Sequence, residues 1–366
     1  MVRSTAFALV LCCGAASAQA PAPQDWEKQW NAWVAAAKQE GTVTILAPPD
    51  PAVRQALPEA FKARFGITVE YLGGRSSESA TKLRAERQAG VYTVDIALSG
   101  IQTMATIFYR ENMLVPLRPE LILPEVVDPA KWKKGKLWFM DPDDKYVLRL
   151  FNTAGANFYI NTMAAKVSDF RSVKDLLDPK WKEKISAHDP TVPGSGSNQA
   201  ARFYVQFGED FVKRLYVDQK PGIARDRRQI TDWLIRGRYP ISLDAEGEEV
   251  ERLKKEGMPL EAVYNLPDMP GTTTAGIGEV ALMDHAPHPN AARVFANWIA
   301  SKEGLTVFAK ARGEAPTRND VDEASFLSRE IIPRPGVEYF DTYEWEFTVT
   351  KKEDVRLRMK ELMRLR

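Results

Sequence analysis

The chain has 366 residues, with 50 Lys and Arg against 49 Asp and Glu, and only two cysteines. That length holds two domains of ordinary size, and so even a charge balance argues against nucleic acid or an anionic membrane surface as a partner. Cys12 and Cys13 both lie near the start, so for the rest of the chain disulfide scaffolding, thiol catalysis and thiolate metal sites drop out together.

Met1, Val2 and Arg3 form a short basic start, and residues 6–16 are small or apolar. Ala18, Gln19 and Ala20 have the small-x-small spacing of a signal-peptidase site, and Pro21 follows. This pattern predicts a secretory signal peptide over 1–20, cleaved after Ala20, rather than a buried first helix. The apolar run is too short for an ordinary membrane span. Leu11 stands where a lipid-attachment box needs a small residue.

Trp26, Trp30, Trp33, Val34 and Ala37 then line one helical face that ends before Gly41. Residues 42–47 are a compact apolar run and predict a buried strand. A helix broken or started at Pro58 runs to Phe65, a second strand covers 67–72, a helix 78–89, and a third strand 94–98. Strands alternating with helices across short loops predict a parallel, doubly wound sheet. A second series follows: strands at 158–161 and 184–187, a helix after Ser197, a helix over 226–236, a strand at 240–243, a helix over 248–255 and a strand at 260–264. Residues 275–283 are expected to carry the chain back to the first unit. A helix with Val294, Phe295, Trp298 and Ile299 on its buried face comes next, with Asn290 as its N-cap and Ser301 as a new cap. The basic and apolar residues of 351–366 have helical spacing; they predict a helix docked on the first unit, or a membrane-surface helix. The expected architecture is α/β with two doubly wound lobes, 21–154 with 276–366 and 155–275.

Ligands of open α/β sheets bind outside the carboxyl ends of the strands. That rule selects Pro49 and Asp50 after the first strand, Arg75, Ser76 and Ser77 after the second, and Ser99 and Gly100 after the third. In the other lobe it selects Gly194, Ser195, Gly196 and Ser197, then Asp244 and Glu246, then Thr272. Arg75 follows two glycines and precedes a helix start, whose free N–H groups attract anions, and its guanidinium suits a carboxylate or phosphate. An ordinary turn with a solvated arginine reads as well. The glycine–serine stretch lacks the lysine of a phosphate loop and the strand–turn–helix spacing of a nucleophile elbow. Asp244 and Glu246 suit a cation, an amine or sugar hydroxyls, or a helix start for dipole reasons alone. The three histidines, His188, His285 and His288, lack zinc spacing and a partnered nucleophile. No metal site, no cofactor and no catalytic residue are expected.

Several segments together resemble one family. They are Ala286 to Ala292 with Phe295, Asn297, Trp298, Ser301, Glu303 and Gly304; Asp175 to Ile185 followed by Asp189 and Pro190; Lys38 to Val43; and Phe61, Arg64 to Ile67, Val69 and Glu70. In order and spacing these resemble the extracellular solute-binding proteins of ABC importers, with the type 2 periplasmic-binding-protein fold, near their ferric-iron-binding branch. The resemblance implies two lobes joined by a strand hinge that close on a small-molecule solute, a periplasmic location, and a membrane permease with its ATPase as partners. The iron-binding branch uses adjacent tyrosines in a second-lobe loop that here reads Asp244, Ala245, Glu246, Gly247 and Glu248. No tyrosine pair occurs anywhere in the chain, so direct iron capture is not expected. The expected function is capture of a small organic anion by a monomer, with delivery to the permease. A subunit presenting its ligand to a membrane receptor, or a secreted enzyme on the same scaffold, are the alternatives.

Overall fold

The computed structural model describes residues 23–74 and 76–365. The expected signal peptide and Arg75 lie outside the described residues. No helix among the described residues is long and apolar enough to cross a membrane.

The first sheet follows the apolar runs read from the sequence. Its order is Thr68–Gly73, Thr42–Ala47, Ile96–Ser99, Glu279–Met283 and Leu114–Val115, with Leu148–Arg149 also paired to Glu279–Met283. The first three strands are parallel, and Glu279–Met283 is antiparallel to Ile96–Ser99. Helices cover both faces, so the central strands bury both of theirs: Val43, Ile45, Ile96, Ala97 and Leu98 are essentially inaccessible. On one face Phe61 packs its ring against Phe295 and Trp298 at centroid separations of 5.1 and 5.2 Å. This joins the helix Pro51–Phe65 to the helix Pro289–Ala300. Each such buried ring contributes roughly 1.5–3 kcal/mol.

The second sheet has the order Leu260–Val263, Phe158–Asn161, Ile241–Ser242, Ile185–His188 and Gly222–Ala224. Its core gathers Phe158, Trp181, Phe203, Phe211 and Tyr216. A third, three-stranded sheet connects the two: Thr153–Gly155 carries the chain out, Thr272–Thr274 brings it back antiparallel, and Phe340–Asp341 adds a parallel edge.

Three local expectations change. Pro58 lies inside the helix Pro51–Phe65 and does not break it; the start is set by Asp50, whose carboxylate caps the N–H groups of Ala52 and Val53. The helix Pro289–Ala300 has His288 at its N-cap position, because the Asn290 amide is drawn to Glu40 at 2.7 Å. Ser301 does cap the next helix, accepting from Gly304 N. The terminal helix Lys352–Leu362 docks on Ser195–Lys213 in the second lobe and not on the first: Val355, Met359 and Leu362, at helical spacing, join the second core, and Arg358 pairs with Glu209 at 2.6 Å.

Candidate functional site

At the end of Thr42–Ala47 the chain turns so that Pro48 O accepts both Asp50 N and the Tyr71 hydroxyl. Pro49 is exposed there. Asp50 spends one carboxylate oxygen on its helix cap and takes Arg312 Nη1 on the other at 2.7 Å. Burial, then the Asp50 charge, push the Tyr71 phenol well above the usual tyrosine range. Arg312 lies 3.8 Å from Glu314, and a Cβ on Gly276 would stand 2.7 Å from Glu314 Oε1. Gly276 O in turn approaches Gly100, which opens the helix Ile101–Thr103. The structure therefore brings Asp50, Ser99 and Gly100 to one rim beside the returning chain, with Asp50 held by scaffold bonds. Ser76 and Ser77 begin the helix Ser76–Gln88 on the same side of the sheet.

The second-lobe rim is built around His188, the last residue of its strand. Its N–H donates to Asp244 Oδ2 at 3.1 Å. Its Nδ1 accepts Gly196 N at 3.1 Å, so the ring hydrogen belongs on Nε2, 3.2 Å from Arg225 O. This bond draws the glycine turn onto the strand end. A Cβ on Gly196 would lie 2.8 Å from Asp189 O and collide with the His188 carbonyl, so this position needs glycine. Ser197 Oγ donates to Gly194 O at 3.0 Å. His188 thus serves as a scaffold residue, and the turn delivers the start of the 19-residue helix Ser195–Lys213.

Behind that helix start lies a set of buried polar groups with unused capacity. Ser195 Oγ, Asn198 Oδ1, Arg202 Nε and Nη1, and the Tyr216 hydroxyl have no hydrogen-bond partner. Arg202 is 1 % exposed and bonds only through Nη2, to Asn157 O at 3.2 Å. Burial pushes its guanidinium down to about 10, against the pull of Asp244. Burial pushes Asp244 up to about 6, against the His188 N–H and the charges of Arg227, His188 and Arg202. Arg227 ties this strand end by donating to Asp244 O and Ala245 O, and Glu246 N donates to Thr231 Oγ1 at 2.9 Å. Gly194, Ser195, Gly196, Ser197, Asp244 and Glu246 thus cluster at neighbouring strand ends. Thr272 stands apart from both rims on the connecting sheet, opposite Gly155.

Sequence reasoning missed Arg202, Tyr216, Arg225, Arg227 and Arg312. Four of the five are arginines, and nothing in the local pattern separates a guanidinium with a structural role from a solvated one. His288 donates its N–H to Asp95 at 2.7 Å, and His285 stacks on Tyr92 at 4.4 Å. Neither joins a cluster of metal-ligating residues, and no such cluster occurs among the described residues.

Known proteins share this arrangement of two α/β lobes joined by strands. A family model described as bacterial extracellular solute-binding protein matches residues 56–332. The chain belongs to that family. The fold is that of iron-bound HitA from Pseudomonas aeruginosa (TM-score 0.60, 17% identity, covering 88% of this chain and 98% of that one). It is also that of FutA from Trichodesmium in complex with iron and citrate (0.68, 18%, covering 88% and 99%). AfuA from Actinobacillus pleuropneumoniae, with fructose-6-phosphate bound, matches at 0.59 and 19% identity, covering 89% and 100%. An uncharacterized protein of Haemophilus influenzae is 31% identical over 139 residues, 36% of this chain; the match spans only 37% of that relative. At these identities the solved structures share the fold and leave the ligand open.

Proposed function

We propose that the chain is the exported substrate-binding component of an ABC importer. It captures a small anionic solute between its lobes and hands it to a membrane permease. We take the lobes as 21–154 with the return 276–339, and 155–275 with the terminal helix. The observation that carries the anion is the second-lobe cluster. Ser195 Oγ at the helix start, and two Arg202 nitrogens and the Tyr216 hydroxyl beside Asp244, are buried donors without acceptors, and the helix start's own N–H groups favour negative charge. A phosphate or carboxylate supplies the missing acceptors; a bare cation supplies none. AfuA, whose relative here shares the fold, was solved with a sugar phosphate. Binding is by closure: contacts from both rims are complete only in the closed form, so ligand shifts an open–closed equilibrium that the permease reads.

A thermal-shift screen of the purified protein against carboxylates, phosphate esters, polyamines and ferric salts tests this, because a ligand selective for the native state raises the melting temperature. Stabilisation by carboxylates or phosphate esters is expected. Stabilisation by ferric salts or polyamines alone would overturn the anion reading.

A further inference from the structure

A cavity of about 610 Å³ opens on the connecting sheet, and none of the rim residues described above lines it. Its floor is Asn152, Thr273 and Asp341. Side chains alternate along a strand, so Thr272 and Thr274 point to the opposite face from Thr273. Gly155 confirms the sidedness, since a Cβ there would stand 2.7 Å from Thr272 Oγ1. One wall is the turn carrying Lys133, Lys134 and Trp138; the other is the loop of Pro333, Arg334 and Pro335, closed by the bond from Arg334 N to the Tyr339 hydroxyl at 3.2 Å.

The charges of this cavity do not cancel. Lys133 is bonded to Glu323 at 2.7 Å, and Asp341 is bonded to Arg149 at 2.7 Å, so both lining carboxylates are neutralised. Lys134 and Arg334 remain, with no carboxylate partner among the described residues. Lys134 also occupies φ 60, a left-handed conformation that costs a side-chain-bearing residue energy, and it holds its ammonium 5.1 Å from the Trp138 ring centre. Around the two cations the lining is flat and apolar: Trp138, Tyr339, Ile332, Pro333 and Val337. The size lies within the roughly 300–1,000 Å³ usual for small-molecule sites.

We propose that this cavity is a second ligand site, separate from the interlobe rims, for a small ring-bearing carboxylate. The carboxylate lies between Lys134 and Arg334, and the ring lies along the aromatic and proline walls.

The test uses 2-naphthoate and its uncharged amide, titrated calorimetrically into the purified protein and soaked into crystals. Lys134→Gly suits the left-handed backbone and Arg334→Ala lies in an exposed loop, so the double variant should keep the native melting temperature. Expected are single-site binding of naphthoate, at least tenfold weaker binding of the amide, at least tenfold weaker naphthoate binding by the double variant, and density between Trp138 and Arg334. The site is overturned if naphthoate fails to bind in solution at millimolar concentration. It is equally overturned by amide binding as tight as naphthoate, by an unchanged affinity in the correctly folded double variant, by density only at the interlobe rims, or by binding at crystal concentration only.

Discussion

Glu279 shows how much one residue of this fold can make stability depend on pH. It opens the strand Glu279–Met283, is fully buried, and neither carboxyl oxygen has a hydrogen-bond partner. Burial pushes it up to about 8; the Arg149 charge and the nearby backbone N–H dipoles of Glu279 and Gly278, which form no hydrogen bond to it, oppose this, and Asp341 adds to it. Tyr343 also faces it, and its hydroxyl is taken up by Gly276 O. A free glutamic acid ionises near pH 4.5. Between that pH and about 8 the native protein holds a proton that the unfolded chain has released. Stability therefore falls as pH rises through this window and levels off above it. Glu279→Gln removes the slope, because the amide is neutral at every pH. Chemical denaturation at pH 5 and pH 8.5 should show the variant gaining about 4 kcal/mol relative to wild type at the higher pH. An unchanged difference at the two pH values would show that Glu279 is ionised in the native state.

At the scale of elements, the turn between Ile185–His188 and Ser195–Lys213 depends on an absent side chain. Gly196→Ala sets a Cβ against the His188 and Asp189 carbonyls, which are strand backbone and cannot yield cheaply. We expect a cost of roughly 1–3 kcal/mol in urea unfolding and loss of ligand binding, since the helix start moves with the turn. The terminal helix makes a contrasting pair of predictions. Met359 is fully buried in the second core, so Met359→Ala should cost about 2–4 kcal/mol. Arg358 pairs with Glu209 at the surface, so Arg358→Ala should leave the melting temperature nearly unchanged. These elements also mark how far the sequence was legible. The strands around Ile45 and Leu98 were readable because a buried parallel strand is an uninterrupted apolar run, and Ser301 was readable because a cap is a local feature. The partner of the terminal helix was not, because Val355 and Met359 specify an apolar face and nothing about which lobe receives it. The strand pair Thr153–Gly155 and Thr272–Thr274 escaped for a different reason: three residues are too few to show a period. At the candidate site Gly194 to Ser197 and Asp244 were legible from the strand-end rule. The burial of Arg202, five to eight residues further along the helix, is a tertiary fact with no local signature.

At the scale of the whole molecule, the chain crosses between the two cores three times. Two crossings are the antiparallel strands of the connecting sheet. The third is the segment from Phe340 onward, where Trp345 packs its ring on Tyr109 at 5.1 Å beside the first core before Val355 and Met359 enter the second. If the lobes close on a ligand as proposed, all three strands of this sheet bend together, and the energy of closure is sensitive to their packing. Gly155 is the point at which to perturb it, because a Cβ there meets Thr272 Oγ1 at 2.7 Å across the strand pair. Gly155→Val should push the two strands apart and change the resting angle between the lobes without removing any side chain from either core. A bias of about 1.4 kcal/mol towards the open form weakens apparent affinity tenfold while leaving each lobe intact. The expected result for Gly155→Val is thus a several-fold weaker response to the solute identified by the thermal-shift screen, a near-native melting temperature without ligand, and less ligand-induced compaction in small-angle scattering. Adding Thr272→Ala removes the colliding oxygen and should restore both affinity and compaction. Unchanged affinity in Gly155→Val, or no compaction of the wild type on binding, would mean that the connecting sheet is not the pivot.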